Sequence, residues 1–506
     1  MNWKILWPFV LLGMTIMFSC ERPNNPIEEG TLTFNVDTVK FDSIFTTFLS
    51  PAERLIVRNE NGQAVNISRI WLEDAPDTDF SMIVDGIEGE DVEDIVIPAN
   101  DSITIFINHK SDLLDGFIEE YINFQIGNEM QRMLIRGFVL DAYFYRARII
   151  QDGNTFTVEG NIFDTDQTLP IDKPIVMDGP IFVTENAKLT ILPGTEIFFT
   201  PYKFGVTDSN NAPFFILFST LIVNGSLDAV GLKSDPIVFT GTRLEDAFRE
   251  NPAQWRGIRF GVNSRDNVME HCLVKNALIG VQVDSISINQ NPKLRIQYSE
   301  IRNMGAFGVY GLGFDNSGTV QNTPPAIFME NCVVNTCKER TVLLQGGGKY
   351  AFYNNTFANY SIFGFTRRTP QISVNNYRIL DGTAFIYPTF TDFVNCAIWG
   401  SEEDEFVIDT LFDAPFDRLI LENCLVRLSE DNEPLITPHL RNSLVNMDPL
   451  FMDFLTKNYR LNNGSPAIDA GIDFPVGSSG YEDDFRRAPD SLRSSPFDIG
   501  AFEYIE

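Results

Sequence analysis

Histidine is nearly missing from this chain: there are three in 506 residues, His109, His271 and His439. They lie far apart, so no acid–base or metal pair built on imidazole is suggested, and no cysteine spacing matches a zinc motif. Basic residues are scarce as well, 38 Lys and Arg against 69 Asp and Glu, for a net charge of −31. DNA and RNA need clustered Lys and Arg, so nucleic acid is excluded as a partner. The acidic excess reads as a solvated surface that keeps the chain soluble. Sustained 3.6-residue periodicity is absent, which removes helical architectures. A phosphate loop is lacking too, because Gly346-Gly347-Gly348 has no strand–loop–helix setting.

What the chain does contain is one short pattern that returns six times between Met269 and Val426. The copies are Met269–Val274, Ile296–Ile301, Met329–Val334, Phe352–Phe357, Phe393–Ile398 and Leu421–Val426. Their fourth residues are spaced by 27, 33, 23, 41 and 28 residues. Apolar positions alternate with period two inside each copy, as in a strand. The alternation changes phase at the third residue, where His271, Asn331, Asn354, Asn395 and Asn423 stand. A phase change predicts a bend, and Asn tolerates the left-handed backbone a bend requires. Stacked bends would align the amides into a hydrogen-bonded ladder, with His271 substituting for Asn. The next position holds Cys272, Ser299, Cys332, Asn355, Cys396 and Cys424, small enough for a narrow interior. Those four Cys read as buried apolar fillers. Cys337 falls outside the register and reads as a free, part-buried thiol.

Repeats that cannot bury a face alone stack into solenoids. This one resembles the right-handed parallel β-helix proteins, the pectate-lyase-like solenoids found among surface lipoproteins of Gram-negative bacteria. The likeness extends upstream through 179–195, with Pro193-Gly194 suited to a type II turn, and through 221–231, 236–240 and 255–260. Before it, seven short alternating segments between Leu32 and Arg136 read as an immunoglobulin-like β-sandwich, here without a disulfide. After it, 458–471, 484–486 and 497–504 resemble the closing segment of secreted β-helices, in which Asp469, Asp484, Arg486 and Asp498 would pair.

Residues 1–19 carry one charge, Lys4, and an apolar stretch too short for a comfortable bilayer span, which reads as a secretory signal. The stretch ends in Met17-Phe18-Ser19-Cys20 and passes into a polar, Pro-rich tether, resembling a bacterial lipobox. Acylation of Cys20 would then hold the chain on a membrane. The reading is all-β: signal 1–19, tether 20–30, sandwich 31–142, right-handed parallel β-helix 143–457 and C-terminal cap 458–506. The expected location is the outer membrane, facing the cell surface or the periplasm.

Function is less defined by residues. β-Helix enzymes need paired carboxylates or a Lys or Arg base in one outer groove. Arg340, Lys349, Arg367, Arg368, Asp235, Asp266, Asp284 and Asp315 lie on the central coils, but none forms such a motif, and each reads as an exposed turn residue. Glu402-Glu403-Asp404-Glu405 reads as a solvated insertion, with Ca²⁺ binding the alternative. No other cofactor is implied. The expectation is non-catalytic binding or adhesion at the envelope, to a polysaccharide or another envelope component. A polysaccharide lyase or glycoside hydrolase is the alternative.

Overall fold

In the computed structural model, the described residues are 26–504 except 111–114, 153–154, 160, 202, 208–212, 246–247, 316–318, 362–365, 412–414 and 473–495. Cys20, Asp484 and Arg486 therefore lie outside the described residues. The chain divides into two compact units, at Asp141 and Ala142.

Two five-stranded sheets form the first unit. One runs in the order Leu32–Phe34, Glu53–Asn59, Asp101–His109, Phe80–Val84, Ile87–Glu88. The other runs Thr38–Phe45, Glu129–Leu140, Gly116–Ile126, Val65–Leu72, Asp91–Ile97. Alternate residues such as Leu55, Val57, Ile67, Ile105, Phe124 and Ile135 point inward and share one core. The first strand is split: Leu32–Phe34 pairs antiparallel in one sheet, and Thr38–Phe45 pairs parallel to Glu129–Leu140 in the other. That partition is the immunoglobulin-like sandwich. Asp91–Ile97 is an added edge strand, and its Asp94 at φ 57° shifts the inward residues from Val92 to Ile95.

The second unit is a parallel β-helix. Its three long sheets hold 11, 9 and 10 strands, and every pairing within them is parallel. The first sheet begins at Tyr143–Arg146, the second at Ile162–Phe163 and the third at Gln167–Thr168. One complete coil is Cys272–Lys275 in the first sheet, Ile279–Asp284 in the second and Leu294–Gln297 in the third.

Register places like beside like. In the first sheet Ile197, Phe239, Val274, Ile301, Val334, Phe357, Ile398 and Val426 pair in one inward column. In the third sheet Met269, Ile296, Met329, Phe352, Phe393 and Leu421 do the same. All of these side chains belong to one continuous core. Ring stacking adds to it, with Phe352 on Phe393 at 4.8 Å and Phe199 on Trp255 at 3.9 Å. Each such ring, fully buried, contributes roughly 1.5–3 kcal/mol of transfer free energy.

The bend between third and first sheets is left-handed in successive coils: His271, Tyr298, Asn331, Asn354, Asn395, Asn423 and Asn442 all have φ between 47° and 52°. Uneven spacing of the copies has a simple source. Connections from the second to the third sheet vary from the two residues 346–347 to the stretches 376–388 and 313–326, while the bend stays constant. The coil between Asn355 and Cys396 also carries an insertion after its first-sheet strand, Thr356–Asn359, which gives the 41-residue interval.

Capping is shared between two segments. Ile436, on the short helix Glu433–Ile436, enters the solenoid core at its last coils. The C-terminal segment instead lies along the outer face of the first sheet. There the outward residues change from Lys275, Glu300 and Arg302 to Val333, Ala358, Ala397 and Leu425, which Tyr459, Leu461, Ile499, Ala501 and Phe502 cover. Asp469 and Asp498 do meet, the Asp469 N–H donating to Asp498 Oδ1 at 2.7 Å.

Candidate functional site

The bend residues come together as a column, with several kinds of contact. Asn395 donates to Asn354 Oδ1 at 2.9 Å, and its amide also exchanges two bonds with the backbone of Ile472. Asn423 donates to the Ala470 carbonyl at 2.9 Å. His271 stacks on Tyr298 with centroids 5.2 Å apart. The following position does more than fill space. Cys272, Ser299, Cys332, Cys396, Cys424 and Ser443 each donate to the carbonyl two residues earlier, closing the bend from inside. Asn355 at this position accepts from the Cys332 N–H and donates to the Met329 carbonyl. Cys337 is fully enclosed rather than part-buried, because Thr336, at φ 51°, changes the phase of the strand Val333–Cys337 and turns its last residue into the core. Burial holds its thiol up to about 12, and all five described Cys are free. This column is scaffold.

Several of the other candidates are also engaged internally. Arg367 is not an exposed turn residue. The residue is 2% exposed, and its guanidinium pairs with both oxygens of the buried Glu405 at 2.6 and 2.8 Å. Asp404 caps Ser429 through its N–H and hydroxyl. Two members of the four-acid run are thus committed to protein partners. No group of three or more His, Cys, Asp or Glu suited to a metal ion gathers among the described residues. His109 packs on Phe80 and His439 approaches the Leu419 carbonyl, so the three histidines serve three separate places. Asp266 is bonded to Asn289 and Asn291.

An outer groove forms on the second sheet. Its outward column runs Arg259, Gln282, Tyr310, Leu343, Ser373 and Val407, and beside it run Asp284, Leu312 and Gln345, then Asn375 and Asp409. The hairpin Tyr377–Leu380 with Thr383–Ile386 rises at the edge of this sheet. Asp381 and Gly382 both have positive φ, 49° and 77°, as a two-residue type I′ turn requires. Between hairpin and sheet lies a cavity of about 610 Å³ lined by Tyr310, Leu312, Phe314, Gln345, Tyr377, Arg378 and Asp409, among others. Tyr310 donates to Gln345 at 2.7 Å and Tyr377 to Asp409 at 2.6 Å. Arg378 lies over the Phe314 ring at 4.5 Å. Burial, then Asp284, raise the Tyr310 hydroxyl, and the hydrogen bond to Asp409 raises that of Tyr377. Both phenols are therefore neutral donors at physiological pH.

At the upstream end Arg259 pairs with Asp284 at 2.7 Å, and Gln282 donates to the same carboxylate at 2.8 Å. Lys293, fully buried, fixes this end by donating to the carbonyls of Asp284 at 2.6 Å and Val262 at 2.9 Å. Burial draws its pKa down to about 8. Asp284 and Asp409 are four coils apart, about 19 Å at ~4.8 Å per coil. Paired glycosidase carboxylates lie roughly 5–9.5 Å apart. These two cannot act as such a pair.

A second cavity, of about 670 Å³, is lined by Tyr360, Trp399, Arg427, Asp448, Phe451 and Phe454 among others. Its rings are already occupied: Tyr360 stacks on Phe454 at 4.4 Å and Arg427 covers Trp399 at 5.5 Å. Sequence reasoning pointed to neither cavity. The hairpin had a local signal in Asp381-Gly382; the groove had none, because its residues come from coils separated by connections of unequal length.

No protein-family profile matches the chain, and no curated protein matches it. Among solved structures, a family 123 glycoside hydrolase from Clostridium perfringens aligns at 12% identity over 22% of this chain and 26% of that one, with a TM-score of 0.16. The chain thus spans about a quarter of that protein's length. The catalytic domain of a GH87 α-1,3-glucanase in complex with nigerose aligns at 10% identity over 85% and 96% of the two chains, with a TM-score of 0.13. A substituted form of that domain, also with nigerose, aligns at 9% identity over 81% and 90%, with a TM-score of 0.16. At these values the alignments carry no argument about activity, and the fold rests on the strand pairing described above.

Proposed function

We propose that this chain is a cell-envelope lipoprotein whose solenoid holds an extended glycan in the second-sheet groove without cleaving it. The observation that carries the reading is the cavity itself. Tyr310 and Tyr377 supply ring surface, and Gln345, Asn375, Arg378 and Asp409 supply hydrogen-bonding groups. Polar and apolar groups share the lining about equally, which suits a ligand that offers both hydroxyls and C–H faces. Tyr310, Gln345, Asn375 and Asp409 stand on four successive coils, so contacts repeat over about 14 Å along the axis. A polymer with a repeating unit suits such a series. Cys20, the signal before it and the tether after it support anchoring at the outer membrane, with the sandwich as a spacer.

Affinity electrophoresis of the purified chain against a panel of neutral and acidic polysaccharides tests this. Retardation by at least one glycan, weakened about 5-fold by Tyr310→Ala, is expected, since a ring contact is worth about 1 kcal/mol. Equal retardation of the variant would remove the groove from the account. A second reading, cleavage, is favoured by one observation: the Tyr377 hydroxyl held by the Asp409 carboxylate could act in proton transfer or as a nucleophile. New reducing or unsaturated ends, lost in Tyr377→Phe, would establish cleavage and overturn the non-catalytic reading.

A further inference from the structure

Hairpin and groove together present exposed aliphatic side chains as well as rings and polar groups. Cross-strand pairing sets Tyr377 opposite Ile386 and Ile379 opposite Ala384, so these four share one hairpin face. Ile379 and Ile386 are 57% and 42% exposed, although both are large and apolar. Ile379 lines the cavity with Leu312 and Phe314, while Gln345, Asn375 and Asp409 line it as polar groups. Branched aliphatic side chains lack the flat face that stacks on a pyranose, but they shelter methyl groups. Charge is nearly balanced here: Arg259 is neutralised by Asp284, and the cavity lining holds Arg378 with Asp409. With −31 on the whole chain, a polyuronate would meet repulsion without a compensating basic strip.

We infer that the groove takes a neutral glycan carrying short O-acyl groups, with Leu312, Phe314 and Ile379 receiving the acyl methyls and the polar residues receiving sugar hydroxyls. This rests on the glycan reading above and narrows its ligand class. It requires no covalent step.

The test uses the full chain and two probes, O-acetylated xylan and O-acetylated glucomannan, each before and after mild alkaline deacetylation. Binding is read by isothermal titration. The acetylated forms should bind about 10-fold tighter than the deacetylated ones. Ile379→Ser should bring that ratio close to 1; because Ile379 is exposed, the variant should keep the parent melting temperature. Equal affinity for both forms would overturn the acyl inference and leave the glycan reading standing. An unchanged ratio in Ile379→Ser would overturn the assignment of the pocket. Binding to neither form of either polymer would overturn the acyl inference, and binding to no glycan of the panel would overturn both readings. Tighter binding to a polyuronate would overturn the neutral class alone.

Discussion

Asn395 shows what one side chain does in this solenoid. Its backbone is left-handed at φ 52°, its side chain is enclosed, and its amide joins Asn354 to Ile472. Leu at this position would suffer the left-handed penalty, about 1–2 kcal/mol. It would also leave the Ile472 N–H and Asn354 Oδ1 without this partner, at about 1–3 kcal/mol. Asn395→Leu should therefore lower solenoid stability by about 2–5 kcal/mol, and Asn395→Gly, which adopts the bend freely, by about 1–3 kcal/mol. Guanidinium unfolding of both variants checks this. Equal losses would show that bend conformation has no share in the effect. The thiols beside this column show a residue-level role that composition hides: Cys and Ser interchange there because both donate to the carbonyl two residues back.

Among elements, the hairpin Phe451–Asp453 with Asn458–Leu461 carries Lys457 against a loop of a distant coil. Lys457 meets Glu250 at 3.1 Å, and Lys275 and Arg302 approach the same carboxylate. Burial alone would raise Glu250; Lys457, Arg302 and Lys275 outweigh it and draw the pKa down to about 2. A folded-state pKa below the unfolded value of 4.5 means stabilisation that is present above 4.5 and lost as pH falls toward 2. Amide exchange in 451–461, corrected for intrinsic rates, should accelerate across that window. Glu250→Gln should show weaker protection at pH 7 and little further change in acid; a variant with the parent profile would rule out this contact as the latch. Legibility also divides by element. The six bend copies were readable because phase change, Asn and small residue are adjacent in sequence. Asp91–Ile97 was not, because Asp94 breaks the alternation that marks a strand. The groove stayed hidden for a different reason. Tyr310, Gln345, Asn375 and Asp409 become neighbours only through coil register, which depends on connection lengths that no local pattern fixes.

For the whole molecule, the reading from Cys20 to the groove makes one testable demand. Cys20→Ala should move the protein from the membrane fraction to the soluble one while glycan binding by the purified chain persists, since the lining residues lie more than 280 positions away. Unchanged partition would remove the lipid anchor. Were the chain tethered at Cys20 and holding a polymer further along, as proposed, it would be under tension. In a parallel β-helix the bonds between coils point along the axis, so a pull along that axis opens them one coil after another rather than shearing many at once. The C-terminal segment changes this arithmetic. It runs beside the coils, bonded at Asn395 and Asn423, at Thr356 through Ala501, and at Glu250 through Lys457. Those attachments span the coils in parallel with the ladder and so divide the load. Under such a load the segment would work as a tendon, keeping the coils between Glu250 and Asn423 from peeling.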